Sequence, residues 1–63
     1  MIYKFIEEAG EKTLEVHLSN YTGNKVVLVI ESNGIQHIAL DKDSVYDLIG
    51  ALHTLKSKIN SNG

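Results

Sequence analysis

The chain has 63 residues, of which 43% are hydrophobic and 22% charged, and its formal net charge is −2. This balance is typical of a folded protein and excludes a disordered chain, and the absence of cysteine excludes disulfides and thiolate zinc sites. All basic residues are lysine, so the sequence lacks both the basic surplus and the arginine that are typical of nucleic-acid-binding domains.

The length allows one small domain with a marginal core. A chain of this size buries only about 60% of the surface that its unfolded form exposes, and oligomerisation is a common reinforcement. We expect one ββββα domain over residues 1–60 and a frayed polar tail at residues 61–63. The start, MIYKFIEEAG, lacks the pattern of a signal peptide, and the longest apolar run, residues 26–30, is too short to span a membrane. We therefore expect a cytoplasmic protein without a membrane partner.

The first half of the sequence predicts two strands. Residues 2–8 are rich in β-branched and aromatic side chains, which favours a strand, and residues 9–12 form a turn. Residues 13–19 alternate strictly between apolar and polar, which indicates a half-buried strand. Leu14, Val16 and Leu18 share one face of it. Residues 20–24 form a loop, in which Gly23 is free to take a positive φ.

Residues 25–40, KVVLVIESNGIQHIAL, predict a hairpin whose two faces are both apolar. Asn33-Gly34 between two apolar runs is the strongest short-range hairpin signal, and a two-residue turn there pairs Ser32 with Ile35. In that register one face carries Val27, Val29, Ile38 and Leu40. The other face carries Val26, Leu28, Ile30, Ile35, His37 and Ala39.

The last third predicts a helix over residues 42–59. Asp41 is a suitable N-cap, and Asp43 places negative charge in the first turn, where the helix dipole favours it. Apolar residues recur at spacings of three and four and form one stripe. Its members are Val45, Leu48, Ile49, Leu52, Leu55 and Ile59.

These elements predict an α+β fold, in which a four-stranded antiparallel meander carries one C-terminal helix on one face. In the predicted register the helix covers the face of Leu14 and Val27, which leaves a second apolar face for a partner, most simply a second copy of the chain. Edge-to-edge pairing of strands is another route to a dimer, and strong curling of the sheet around one core is the alternative to any partner. The candidate interface residues are Tyr3, Phe5, Val26, Leu28, Ile30, Ile35, His37 and Gly50, and either Tyr3 and Phe5 or Ile2 and Ile6 supply the first strand's share.

The polar residues do not predict an active site. His17 and His37 lie on strands separated by one other strand, about 9–10 Å apart, too far for one zinc ion to join them. Structural positions explain five carboxylates, at the end of a strand, in a turn or at the helix start, namely Glu7, Glu8, Glu11, Asp41 and Asp43. Glu15 shares a strand face with His17 as an i, i+2 pair suited to orienting the imidazole, but no serine with a nucleophile motif lies beside it. We therefore expect no enzyme activity, no metal and no cofactor. Gly50 interrupts the helix, either because another backbone approaches it or because packing tolerates a weak helix former.

The segments EVHLSNYTGNKVVLVI and IQHIALDKDSVYDLIGAL resemble, in layout, the PC4-like transcriptional coactivator fold. In that family a strand also leads directly into the helix, as HIALDKDSVYDLI does here, with Asp41 at the cap and Tyr46 near the aromatic position. The likeness covers residues 13 to about 55. It implies a ββββα dimer that binds single-stranded DNA through basic and aromatic residues. This chain departs from the pattern because it has no arginine, no tryptophan and an acidic balance.

The function that we expect is that of a small non-enzymatic regulatory protein, a homodimer that acts through protein–protein contact. Its size is typical of phage or mobile-element factors that target a host protein. The first alternative is a PC4-like single-stranded nucleic-acid-binding protein, which the net charge disfavours. The second is a structural subunit of a hetero-complex.

Overall fold

The structure, a computed structural model, describes the backbone of residues 1–62 and the side chains of residues 1–59. Four strands, β1 (Ile2–Ile6), β2 (Thr13–Leu18), β3 (Val26–Glu31) and β4 (Ile35–Leu40), precede one helix, α1 (Lys42–Asn62). The strands pair antiparallel in the order β1-β2-β3-β4, so the predicted α+β meander with a C-terminal helix is confirmed.

The helix continues three residues beyond the predicted end at residue 59. The polar tail predicted at residues 61–63 falls on positions whose side chains lie outside the described residues, as does all of Gly63, so its fraying stays a prediction.

Two glycines allow the first two connections to close. Gly10 has a φ of 78° and Gly23 a φ of 72°, a backbone region that side chains with a Cβ rarely adopt. The backbone bond from Glu7 N–H to Lys12 O (3.1 Å) closes the first loop. The bond from Ser19 N–H to Lys25 O (2.9 Å) closes the second, so the prediction for Gly23 is confirmed.

The β3–β4 hairpin differs from the predicted register by one residue. Glu31 pairs with Ile35 and Leu28 pairs with Ile38, which leaves the three residues 32–34 in the loop. A two-residue type I′ turn needs positive φ at both central residues, and neither Asn33 nor Gly34 has it. The predicted pairing of Ser32 with Ile35 is therefore wrong.

The observed register separates the side chains of the sheet into two unlike faces. The apolar sheet face carries every apolar residue of the alternating strand β2, together with residues 3 and 5 of β1. Its members are Tyr3, Phe5, Leu14, Val16, Leu18, Val26, Leu28, Ile30, Ile38 and Leu40, with Gln36 at one end. The mixed sheet face carries Ile2, Lys4, Ile6, Thr13, Glu15, His17, Val27, Val29, Glu31, Ile35, His37 and Ala39.

This separation corrects the prediction that Leu14 and Val16 share a face with Val27 and Val29. Because the side-chain period of a strand is two, a shift of one residue moves a whole set of side chains to the other face. The second face is accordingly not a continuous apolar surface but a mixture of aliphatic, charged and imidazole side chains.

Asp41 caps the helix as predicted. Its Oδ1 accepts a hydrogen bond from Ser44 N–H (2.9 Å), and its carbonyl oxygen accepts the first helical bond from Val45 N–H (3.0 Å). The hydrogen bonds from Ser44 lower the pKa of the Asp41 carboxyl below its ordinary value of 3.8, and the charge of Lys25 lowers it further. The cap thus stabilises the ionised carboxylate.

We expect the cap to make the unfolding free energy depend on pH below 3.8. A carboxyl whose pKa is lower in the folded state contributes stability above its unfolded pKa and loses it as the pH falls through the folded pKa. Asp41→Asn keeps the acceptor without the charge. Urea unfolding of both proteins should therefore show wild type more stable at pH 7 and a smaller difference at pH 2.5. A difference that stays constant between the two pH values would contradict this account.

The helix leaves the sheet largely uncovered. It approaches β4, the strand that it follows, more closely than any other strand. Among residues 1–59 no side chain is buried. The radius of gyration is 13.4 Å, whereas a compact domain of this length has about 10.6 Å. One copy of the chain therefore does not enclose a core.

Candidate functional site: an apolar groove between sheet and helix

An open groove of about 450 Å³ lies between the apolar sheet face and the helix. One wall comes from the first three strands and the other from the first half of α1. We call it the apolar groove, and its lining consists of Tyr3, Phe5, Leu14, Val16, Val26, Leu28, Val45, Leu48, Ile49 and Leu52. The lining contains no charged side chain, so the groove offers apolar contact and almost no hydrogen bonding.

The sequence-predicted interface residues fall into two groups in the structure. Tyr3, Phe5, Val26 and Leu28 lie together in the apolar groove, and Ile30 lies on the same sheet face. This placement settles which face carries Tyr3 and Phe5.

Three other predicted residues do not belong to the groove. Ile35 and His37 are on the mixed sheet face, and Gly50 is on the helix outside the lining. Conversely, Leu14, Val16 and the helix residues of the lining were predicted to pack against each other within one copy, whereas the structure leaves them in an open groove. Their periodicity marks them as apolar partners, but periodicity carries no information on the distance between helix and sheet.

The apolar stripe of the helix continues past the groove. Leu55 is 56% exposed and Ile59 70% exposed, and neither lines the groove. A helix of this length is about 32 Å long, whereas six-residue strands span about 20 Å, so the helix extends beyond the sheet. The second half of the stripe therefore has no sheet beneath it.

Gly50 lies on the side of the helix away from the apolar stripe, at about 100° of rotation per residue. A Cβ built at this position meets nothing within 4 Å. Nothing within one copy of the chain therefore requires glycine there.

We expect Gly50→Ala to raise the free energy of unfolding by about 0.5–1 kcal/mol, because alanine loses less backbone entropy in a helix. Gly23→Ala is the matched control, since its φ of 72° disfavours any Cβ and the same chemical change should there destabilise. Urea titrations of both variants show whether each substitution raises or lowers the free energy of unfolding. A destabilising Gly50→Ala would instead indicate close approach by a partner.

On the mixed sheet face the described acidic and imidazole side chains are distributed over three strands. Glu15 and His37 both pair with Val29, and so lie on either side of β3. His17 Nδ1–H donates to the Leu18 carbonyl oxygen at 2.7 Å, which occupies one of its ring nitrogens. No group of three or more potential metal ligands occurs in the part of the chain that the structure describes.

A second depression of about 540 Å³ lies at the end of the sheet near Met1, Leu18 and Asn20. His17 is the only imidazole in its lining, which contains no carboxylate.

Comparisons with known proteins found no match for the chain. No protein-family model matches it, no curated protein is similar to it, and no solved structure matches its fold. The likeness to the PC4-like fold is one of ββββα layout alone. Within the described residues, α1 is not apolar enough to cross a membrane.

Proposed function

We propose that the chain is a small non-enzymatic protein-binding module that works as a homodimer, with the apolar groove as its contact surface. The observation that carries this proposal is the lack of any buried side chain among residues 1–59, although 43% of the sequence is hydrophobic. Hydrophobic burial is the main favourable term in folding, so these side chains need cover from outside the chain.

The amount of exposed surface favours a large, permanent interface. The accessible surface is 5609 Å², whereas a compact monomer of 7.0 kDa exposes about 4,000 Å². The excess of about 1,600 Å² per chain corresponds to about 3,200 Å² for two copies, which is within the range of obligate homodimers. Transient complexes bury about half of that area.

The chemistry of the apolar groove favours a protein over a small molecule as occupant. Ligand pockets are concave and include a few polar groups that fix the orientation of the ligand. The groove is open to solvent, and its only side-chain polar atom is the hydroxyl of Tyr3, which donates to Met1 Sδ at 2.8 Å. Such a surface is suited to contact with another apolar protein surface.

Sedimentation equilibrium over a concentration series tests the proposal. We expect a mass of twice the 7.0 kDa of the chain at micromolar concentration, with dissociation only at high dilution. A monomer at every concentration would refute the homodimer. If the natural source yields the chain only in complex with a different protein, the groove belongs to a hetero-complex instead.

Single-stranded nucleic-acid binding is the second candidate, because Tyr3 and Phe5 are both more than half exposed on one sheet face. Aromatic side chains in that position stack on bases in single-strand binders. The net charge of −2 opposes it, and the two rings face the helix across the groove. Oligonucleotide binding that weakens steeply with added salt would support this candidate, and no retention at low salt would remove it.

A further inference from the structure

We propose that the second copy places its helix antiparallel against α1, with the two-fold axis near Leu52. This inference rests on the proposed homodimer and goes beyond it by naming the segment that covers each groove and its direction. It depends on two features of α1. The first is which residues of the apolar stripe face the groove, and the second is the position of the charged residues Asp47 and Lys58 beside the stripe.

The apolar stripe of α1 has two sides. Val45, Ile49 and Leu52 lie toward one side of it and line the apolar groove. Leu48 and Leu55 lie toward the other side, with Ala51 next to them, and of these three only Leu48 also lines the groove. Ile59 lies between the two sides and does not line the groove. Leu48, Ala51 and Leu55 have the three-four spacing of a helix–helix seam, in which a small residue allows close approach.

Asp47 and Lys58 flank this seam on the same side of the helix, at about 100° per residue. They are eleven residues apart, about 16 Å along the axis, too far to pair within one helix. When two identical helices pack antiparallel about a two-fold axis, the flank that carries Asp47 and Lys58 on one helix faces the same flank of the other helix. An axis near Leu52 therefore brings Asp47 to the partner's Lys58 and, by symmetry, forms the same pair a second time. In a parallel two-fold pair the two Asp47/Lys58 flanks would lie on opposite sides of the seam, so these charges could not pair between the copies.

The same arrangement covers the free end of the stripe. With Asp47 opposite the partner's Lys58, the partner's Ile59 lies beside residues 45–46, at the helix wall of the groove. The end of the helix that extends beyond its own sheet thus packs over the groove of the other copy. Each copy thus covers part of the other copy's apolar groove, which agrees with the large excess of exposed surface.

Charge reversal tests the orientation. Asp47→Lys and Lys58→Asp should each raise the dimer Kd roughly ten- to thirtyfold at low salt, because two attractive contacts become repulsive. An equimolar mixture of the two variants should form a heterodimer with a Kd close to that of wild type, as should the double variant D47K/K58D. The control double variant D47K/K56D should stay weak, because Lys56 lies on the groove side of the stripe, away from the flank of Asp47.

The outcomes separate this inference from the homodimer itself. Sedimentation gives each Kd, and circular dichroism at high concentration checks that each variant folds. If a reversal variant fails to fold, the neutral pair Asp47→Asn with Lys58→Gln replaces it, and its dimer Kd should lose the salt dependence of wild type. A wild-type dimer whose Kd ignores salt, or a mixture without preferred heterodimers, would overturn the antiparallel helix pair and leave the homodimer standing. A monomeric wild type would overturn both.

Discussion

Leu28→Lys is expected to raise the dimer Kd roughly hundredfold or more, so that the protein sediments as a monomer at micromolar concentration. Leu28 lies in the middle of the apolar sheet face, between Val16 and Ile38, and lines the apolar groove. An ammonium group there either stays buried without a partner or holds the second copy away. Sedimentation equilibrium measures the rise in the dimer Kd.

Val29→Lys is the matched control for this change. It introduces the same charge into the same strand, one residue further on, but on the mixed sheet face beside Glu15. The control should sediment as wild type does. If both variants dissociate alike, the apolar groove is not the contact surface. If Leu28→Lys alone aggregates without a folded monomer, circular dichroism at low concentration will show that Leu28 also supports the fold of one copy.

A second large effect is expected in thermal unfolding. When folding and association are coupled, a hundredfold rise in protein concentration stabilises the native state by about 2.7 kcal/mol. For two chains that unfold together, an entropy of about 2.1 cal/mol/K per residue converts this value into a rise in Tm of about 10 °C. Calorimetry between about 5 and 500 μM measures the shift.

The dissociated variant supplies the control for this measurement. Leu28→Lys, monomeric over the same range, should show no transition that shifts with concentration, because no association step remains. A wild-type Tm that is equally constant would indicate that one copy is stable alone. In that case the exposed surface would need another explanation, such as closure of the helix onto the sheet in solution.

The sequence predicts the elements of this fold well because each has a local signal. The strict alternation of β2 identifies its apolar face, and Asp41 with the stripe from Val45 onward identifies the helix and its cap. In each case the pattern is decided within a few residues of the chain. Local chemistry of this kind is visible without knowledge of the packing.

The register of the β3–β4 hairpin could not be predicted in the same way. Five apolar residues in a row, Val26 to Ile30, satisfy either face, so the alternation rule makes no choice between them. Only the turn decides, and Asn33-Gly34 favours a two-residue turn that the structure does not adopt. The partner strand β2 contains the missing information, because its alternation fixes which residues of β3 can share its apolar face.

The open groove was also beyond sequence analysis. The stripe from Val45 to Ile59 predicts that the helix packs against apolar surface, but not whether that surface belongs to the same copy. Length was the one available indication, since a helix of about 32 Å exceeds strands of about 20 Å. The residues of the lining were thus identified as apolar, whereas the gap between them depends on tertiary geometry.

The lack of a buried core in one copy has a consequence inside a cell. A newly made chain that has not associated with another copy exposes its aliphatic side chains to proteases and chaperones. Such chains are degraded in proportion to the time they spend in this open state. Steady-state abundance should then rise more steeply than synthesis, because each additional molecule protects another. Pulse-chase decay at two expression levels would reveal this as a half-life that lengthens with dose.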